Sequence, residues 1–319
     1  MREQLHRDEK RKKLLNFGSL NIDYNYSVRH FVQKGETISS NNLQVFSGGK
    51  GMNQSIALAK AGVTVYHAGC IGEDGLFLVD ELEKVGVNTK YIQMQKDVRT
   101  GNAIIQNDSS GDNCIILYGG ANQTITKEYV DKVIADFDEQ DILILQNEVS
   151  EVGYMIQKAM QRRMTIVLNP SPMDEKITTY CLEQIDYLML NEIEARQILA
   201  VEKDCSYETL IDQLVERFPT LRVVLTIGSA GSFYKDNTQT IRQKSYPVKQ
   251  VDTTSAGDTY TGYFIASLVK GYSESEAMNI ASKAAAIAVG KKGAASSIPY
   301  YQELENYIFE YCIDSMSMV

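Results

Sequence analysis

The chain has no tryptophan and only three histidines in 319 residues. His6, His30 and His67 all lie in the first quarter, His6 in a charged stretch and His67 in an apparent strand, where a packed imidazole is ordinary. Acid and base chemistry elsewhere in the chain therefore falls to carboxylates. The five cysteines, Cys70, Cys114, Cys181, Cys205 and Cys312, are scattered, odd in number and never paired as Cys-x-x-Cys. That pattern excludes a disulfide framework or a zinc site of ordinary spacing and fits reduced thiols. No histidine follows Cys70 in the chain, which argues against a cysteine nucleophile. No apolar run reaches membrane-spanning length, and the opening "MREQLHRDEKRKK" is too charged for a signal-peptide core, so a cytoplasmic location with no membrane partner is expected. A formal net charge of -9 argues against a nucleic-acid partner and leaves small molecules as the expected ligands.

What is present is alternation. Apolar runs "LLNF", "VTVYHAG", "DILILQ", "TIVLN", "DYLML" and "RVVLTIG" are separated by stretches of helical period such as "GMNQSIALAKAG", "TKEYVDKVIADF" and "EAMNIASKAAAIAVG". This predicts an α/β fold, a mostly parallel central sheet flanked by helices on both faces. Hydrophobic residues make up 44% of the chain, enough for a large core, and no Pro-, Gly- or Ser-rich linker divides it. A charged tail over 1–13 and a single domain over 14–319 are expected. Two segments break the pattern, "YNYSVRHFVQKGETISSNNLQVF" and "TGNAIIQNDSSGDNCIILYGG". Both read as β, with "NDSSGD" a hairpin turn. They form either a discontinuous lid, from about 22–46 and 98–119, or an extended edge of the main sheet.

Five core strands pass directly into polar residues, in "NFGSLNID", "LILQNE", "IVLNPS", "LMLNEIE" and "VLTIGSAG". Ligands of open α/β sheets sit beyond the carboxyl ends of the strands, so this collection marks a candidate site. In "SGGKGMNQS", residues 47–55, glycines allow close backbone approach before a helix; Lys50 precedes Gly51, so this is not a Walker A loop, and no Gly-x-Gly-x-x-Gly opens a helix after a strand. A plain tight turn is the alternative. If "NID" is extended, Asn21 and Asp23 point the same way and can share a diol; otherwise they are a solvated turn. Glu148 in "QNEVS" is a further strand-end carboxylate that could equally cap a helix. Asn191 and Glu194 in "NEIEA" have capping-box spacing, and the same carboxylate could order water around magnesium. In "VDTTSAGDTYTGYF", Asp258 is either an ordinary helix cap or a base at the rim of an anion pocket made by the N–H groups of Ser255, Ala256 and Gly257.

"SGGKGMNQ", "NEIE" and "DTTSAGDTYTGYF", in this order between about Leu14 and Pro299, resemble the signature regions of the ribokinase family, the PfkB carbohydrate kinases. The resemblance implies a ribokinase-like fold with a small β lid and ATP-dependent phosphorylation of a sugar. Asp258 is then the base, and Ser255, Ala256 and Gly257 the anion hole. Asn21, Asp23, Gly49, Lys50, Asn53 and Glu148 match the family's sugar-binding positions, closer to those that take ribose than to nucleoside or phosphofructose kinases. Asn191, Thr226, Gly228, Ser229 and Gly231 match nucleotide contacts, and Glu194 the holder of a magnesium hydration shell. Asp252, Thr254, Ala288, Lys291, Gly293 and Ser297 match a potassium loop. The family's habit of pairing through the lid implies a homodimer. Met52 and Ser255 depart from the commoner alanine or glycine, and Ser282 from the usual residue near the adenine. A kinase of another sugar or a nucleoside in the same family, a non-catalytic sugar-binding protein on the same scaffold and a dinucleotide-dependent dehydrogenase stand as alternatives, the last weakened by the missing glycine fingerprint.

Overall fold

A computed structural model of the chain describes residues 12–110, 112–201 and 205–307. Most of the expected charged tail, residues 1–11, lies outside the described residues, as does Cys312. Strand β1 (Leu14–Phe17) is followed by β2 (Asn21–Ser27), β3 (Asn42–Gly48), helix α1 (Lys50–Lys60), β4 (Val65–Ile71), α2 (Leu76–Lys84), β5 (Asn88–Met94), β6 (Gly101–Asn107) and β7 (Asn113–Tyr118). The middle of the chain runs α3 (Lys127–Ile134), β8 (Ile142–Gln146), α4 (Val152–Gln161), β9 (Thr165–Asn169), β10 (Tyr187–Asn191), α5 (Glu192–Leu199), α6 (Tyr207–Arg217) and β11 (Arg222–Thr226). The last part holds β12 (Ser232–Lys235), β13 (Thr240–Gln243), α7 (Ala256–Val269), α8 (Glu274–Val289) and α9 (Tyr301–Asn306).

Nine strands form one sheet in the order β13-β12-β11-β10-β9-β8-β1-β4-β5. The strands from β5 to β11 pair in parallel, and β12 and β13 add on antiparallel. The buried strands are continuous apolar runs because both faces are covered. Leu15, Phe17, Leu143 and Leu145 pack under α3 to α6, whereas their neighbours Leu14, Ile142 and Ile144 pack on the other face under α1, α7 and α8. Truncating one of these leucines to alanine costs about 2–5 kcal/mol. β5, β12 and β13 are not among the strands read from sequence: β5 and β13 are the sheet's two edges, where "NTKYIQM" and "TIRQ" mix polar and apolar residues, and β12, paired between β11 and β13, is only four residues long, "SFYK".

Helix α7 is buried over nearly its whole length. A methyl group at Gly262 would stand 2.4 Å from the Ala57 side chain, so the missing Cβ lets α7 press against α1. That approach brings the first turns of the two helices together. The segments that broke the alternation form a separate sheet, ordered β3-β2-β6-β7, parallel between β2 and β6 and antiparallel elsewhere. It is a lid, not an extension of the main sheet. Its side chains alternate: Ala103, Ile105, Ile115 and Leu117 line a cleft and Ile116 and Tyr118 take the opposite side, with the β7 side chains exposed on both.

Candidate active site

β1 is where the strand order reverses: the chain goes to β4 on one side and later to β8 on the other, opening a crevice at the carboxyl ends of β1 and β8. The chain leaving β1 lies against the start of α1. A Cβ on Gly51 would come within 2.3 Å of the Ser19 nitrogen and 2.6 Å of the Gly18 carbonyl carbon, a contact only glycine permits. Asn21 and Asp23 lie two apart in β2 and so face the same way, as the extended reading required. Asn122 holds Asn21, donating from Nδ2 to its Oδ1 at 2.7 Å, while the Leu20 N–H donates to Asn122 Oδ1 at 3.1 Å. Glu148, just beyond β8, accepts from the Lys50 N–H at 2.8 Å and closely from the Ser19 hydroxyl. Asn21, Asp23, Gly49, Lys50, Asn53, Glu148, Asn191, Glu194, Ser255, Gly257 and Asp258 all line one cleft of about 550 Å³ beneath the lid.

Charge is concentrated there. Burial, reinforced by the charge of Glu148, pushes the Asp23 carboxyl up to about 7. Burial also raises Glu148, opposed by the Lys50 ammonium and by the Ser19 and Lys50 hydrogen bonds. For Lys50 burial works to lower the value, but the carboxylates of Asp258, Glu148 and Glu194 outweigh it and hold the ammonium above its ordinary range.

Asp258 is not the cap of α7. Ser255 holds that position in a left-handed conformation, φ 62°, and its hydroxyl donates to the Ala294 carbonyl at 3.0 Å. Asp258 sits in the first helical turn, buried, and its two oxygens accept from Asn53 Nδ2 at 3.1 Å and Gln54 Nε2 at 2.9 Å. Burial raises its pKa, opposed by Lys50 and by these two donors. Of the three N–H groups expected to form the anion pocket, that of Ala256 closes a turn onto the Thr253 carbonyl at 3.2 Å. Gly257, beside it, is exposed at the helix end.

A second cleft, about 560 Å³, lies on the other side of this helix start. Thr226, Gly228, Ser229 and Gly231 line it, with Tyr246, Val248, Tyr260, Ser282 and Ala286. Thr226, Thr253 and Gly257 belong to both clefts, which therefore meet at the N-terminus of α7. Asn191, expected with the nucleotide contacts, lines the carboxylate-rich cleft instead. Asn191 and Glu194 do form a capping box: Asn191 Oδ1 accepts from the Ile193 and Glu194 N–H groups at 2.9 Å each, and Glu194 Oε2 accepts from the Asn191 N–H at 3.0 Å. The capped carboxylate also borders the cleft that contains Lys50 and Asp258. A carboxylate at the cleft wall is an oxygen donor of the kind magnesium accepts when phosphates and water supply the rest of its shell.

The residues of the expected potassium loop come together. Asp252 accepts from the Thr254 and Gly293 N–H groups at 2.9 and 3.0 Å, and its own N–H donates to the Val289 carbonyl at 3.1 Å. The Ser297 hydroxyl donates to the Ala294 carbonyl at 2.8 Å, and the Lys291 N–H to the Ala288 carbonyl at 3.0 Å. Carboxylate, carbonyl and hydroxyl oxygens make a suitable set for a hard monovalent cation.

Two clefts joined at a helix N-terminus beside a buried carboxylate suit transfer of an anionic group between two bound molecules. Comparison with known proteins agrees: residues 11–300 match the model for the pfkB family carbohydrate kinases. The chain belongs to this family. Among its carbohydrate-kinase relatives, the ribokinase of Haemophilus influenzae is 35% identical over 303 residues, 93% of this chain and 99% of its own length. The solved ribokinase of Cryptococcus neoformans in complex with ADP is 32% identical, with a TM-score of 0.82 over 92% of this chain and 99% of its own. That of Arabidopsis thaliana, complexed with ribose and ATP, is 28% identical with a TM-score of 0.83, over 92% and 97%. Several polar residues of this PfkB-family site were not singled out by sequence reasoning: Asn16, Gln54, Asn122, Gln146 and Asn169. Gln54 stood inside "SGGKGMNQS" and Gln146 at the end of "DILILQ", but a buried polar side chain at a strand end looks like any strand-to-turn transition in sequence.

Proposed function

We propose that this chain transfers the γ-phosphoryl group of ATP to D-ribose, giving ribose 5-phosphate and ADP. The observation that carries the reading is Asp258, a buried carboxylate held by two amide donors where two clefts meet. The sugar is taken by Asn21, Asp23, Gly49, Lys50, Asn53 and Glu148, whose carboxylates accept from ribose hydroxyls while Asn53 and Lys50 orient the ring. ATP takes the second cleft, with its phosphates toward Thr226 and Gly257 and the nucleoside against Gly228, Ser229 and Gly231; Asn191 meets the phosphate end. Asp258 takes the proton of the attacking hydroxyl as its oxygen bonds to the γ-phosphorus and the bond to the bridging oxygen of ADP breaks. The N–H groups of Ser255 and Gly257 face the negative charge spread over the transferring group, while that of Ala256, expected with them, closes the turn onto the Thr253 carbonyl. No covalent intermediate on the protein is needed, which suits a site without histidine.

Glu194, with Asn191, holds the water shell of magnesium, whose charge offsets that of the phosphates. Asp252, Thr254 and Ser297, with the backbone at Ala288, Lys291 and Gly293, hold potassium, and through the contact from Ser255 to Ala294 they brace the turn that carries the anion hole. The lid excludes water, and its exposed outer side pairs two copies into a homodimer. The enzyme works in the cytoplasm on small molecules, with neither nucleic acid nor membrane as partner. The relatedness to ribokinases supports ribose over other acceptors. Phosphorus NMR of the product tests this: a phosphate monoester coupled to the two C5 methylene protons is expected. A product phosphorylated elsewhere, or none from ribose, rules the reading out.

A further inference from the structure

Behind Asp258 lies a chain of buried side chains that the reaction itself does not use. Asn16, Ser55, His67 and Gln146 are fully buried and Gln54 nearly so. Asn16 Nδ2 donates to the Gly51 carbonyl at 2.7 Å and to Ser55 Oγ at 2.8 Å, and Ser55 Oγ lies 2.8 Å from His67 Nδ1. Gln146 Nε2 donates to Asn16 Oδ1 at 3.0 Å and to Gln54 Oε1 at 2.6 Å. Gln54 Nε2 in turn donates to Asp258 Oδ1 at 2.9 Å.

The direction of this chain is fixed at its far end. A backbone carbonyl only accepts, so Gly51 obliges Asn16 to turn its nitrogen that way and present its oxygen to Gln146. Gln146 must then answer with nitrogen on both sides, which leaves its own Oε1 buried and without a partner among the described residues. Its nitrogen faces Gln54 Oε1, so only the Gln54 nitrogen remains for Asp258. His67 closes the other branch as a neutral ring, since burial drives its pKa down to about 4, and Ser55 can donate to Nδ1.

We infer that Gln54 is a positioning residue: the relay Gly51–Asn16–Gln146 locks its amide with the nitrogen toward Asp258, which orients the carboxylate and keeps it an acceptor. The inference rests on the reading of Asp258 as the base. The other groups facing Asp258 are Asn53 and Lys50 on α1 and Glu148 beyond β8, with Glu194 on α5 acting through Lys50. Lys50 favours the ionised form and Glu148 opposes it, and none of the three charged groups fixes which way an amide points.

Two variants test the relay. Gln54→Leu keeps roughly the volume and removes the donor, and Gln146→Leu leaves Gln54 in place but frees it to flip. Titration of the Asp258 carboxyl carbon, labelled with carbon-13 and assigned by its loss in Asp258→Asn, needs no substrate. Its midpoint should rise by about one pH unit in Gln54→Leu and by less, in the same direction, in Gln146→Leu. The acid limb of kcat with D-ribose should move with it, while the KM for the sugar changes little. If Gln54→Leu does not fold, Gln146→Leu alone decides. A folded variant whose titration midpoint does not move overturns the inference, and so does a fall in kcat with no shift of its acid limb. A wild-type protein inert toward every sugar defeats the proposed function instead, and the carbon-13 titration still judges the relay.

Discussion

Replacing Asp23 with asparagine should stabilise the ligand-free protein at alkaline pH while damaging the sugar site. The Asp23 carboxyl titrates at about 7 in the fold against 3.8 when unperturbed, because the cleft strips it of water and sets it opposite Glu148. A carboxyl whose folded value is raised binds its proton more tightly folded than unfolded. Between the two values the unfolded chain has lost its proton and the folded chain keeps it, so stability falls as pH rises through that window and levels off above it. With about 1.36 kcal/mol per pH unit, the cost grows by roughly 2–3 kcal/mol between pH 5 and pH 8, an upper figure because the cleft is open on one side. Asparagine keeps the shape and has no such window. Thermal unfolding of both proteins without ligands at pH 5 and pH 8 should therefore show the wild type losing up to about 2–3 kcal/mol more than Asp23→Asn across that range, several degrees in melting temperature. Equal pH dependence in the two proteins would refute the reasoning. Ribose affinity, measured by calorimetry at pH 8, should fall in the variant as an acceptor for its hydroxyls is lost.

Other expectations follow from the same geometry. Asp258→Asn should lower kcat about 10²- to 10⁴-fold while ribose and ATP still bind, read by ADP release and calorimetry; near-normal turnover would remove Asp258 as the base. Gly51→Ala drives a methyl group into the backbone of Gly18 and Ser19, so soluble yield and melting temperature should drop sharply, with a cost of at least about 1–3 kcal/mol. Glu194→Gln keeps most of the α5 cap yet should raise the magnesium concentration needed for half-maximal rate. If two copies pair through the lid as proposed, the wild type should sediment as a dimer and Ile116→Glu as a monomer; a monomeric wild type, or a coefficient that the substitution leaves unchanged, counts against that pairing.

β8 to β11 are legible in the sequence because a strand buried on both faces is a near-continuous apolar run, and β1 and β4 keep most of that run around the buried Asn16 and His67. β5 and β13 escape because an edge strand has no such signature, and β12 because four residues, "SFYK", are too short to show one. The lid could be read as β from its turn chemistry, but whether it extended the main sheet or stood apart depends on pairing between β2 and β6, far apart in the chain. The cleft residues were legible through their place after strands and in ordered motifs. Their partnerships were not: Gln54 meets Asp258 across 204 positions, and nothing local distinguishes Gln54 from its polar neighbours. Local sequence alone favours Asp258 as a cap and the family resemblance favours it as a base; in the structure Ser255 holds the capping position and Asp258 lies in the first helical turn. Asn191 and Glu194 form the capping box their spacing implies, and that box leaves the carboxylate at the wall of the cleft.

The most direct test of the account is the initial rate of ADP release by the purified protein with magnesium-ATP and D-ribose, 2-deoxyribose, fructose, adenosine or pseudouridine, with and without potassium. The account predicts rapid release that depends on ribose and rises with potassium. Release that is no faster with any acceptor than with ATP alone would contradict it.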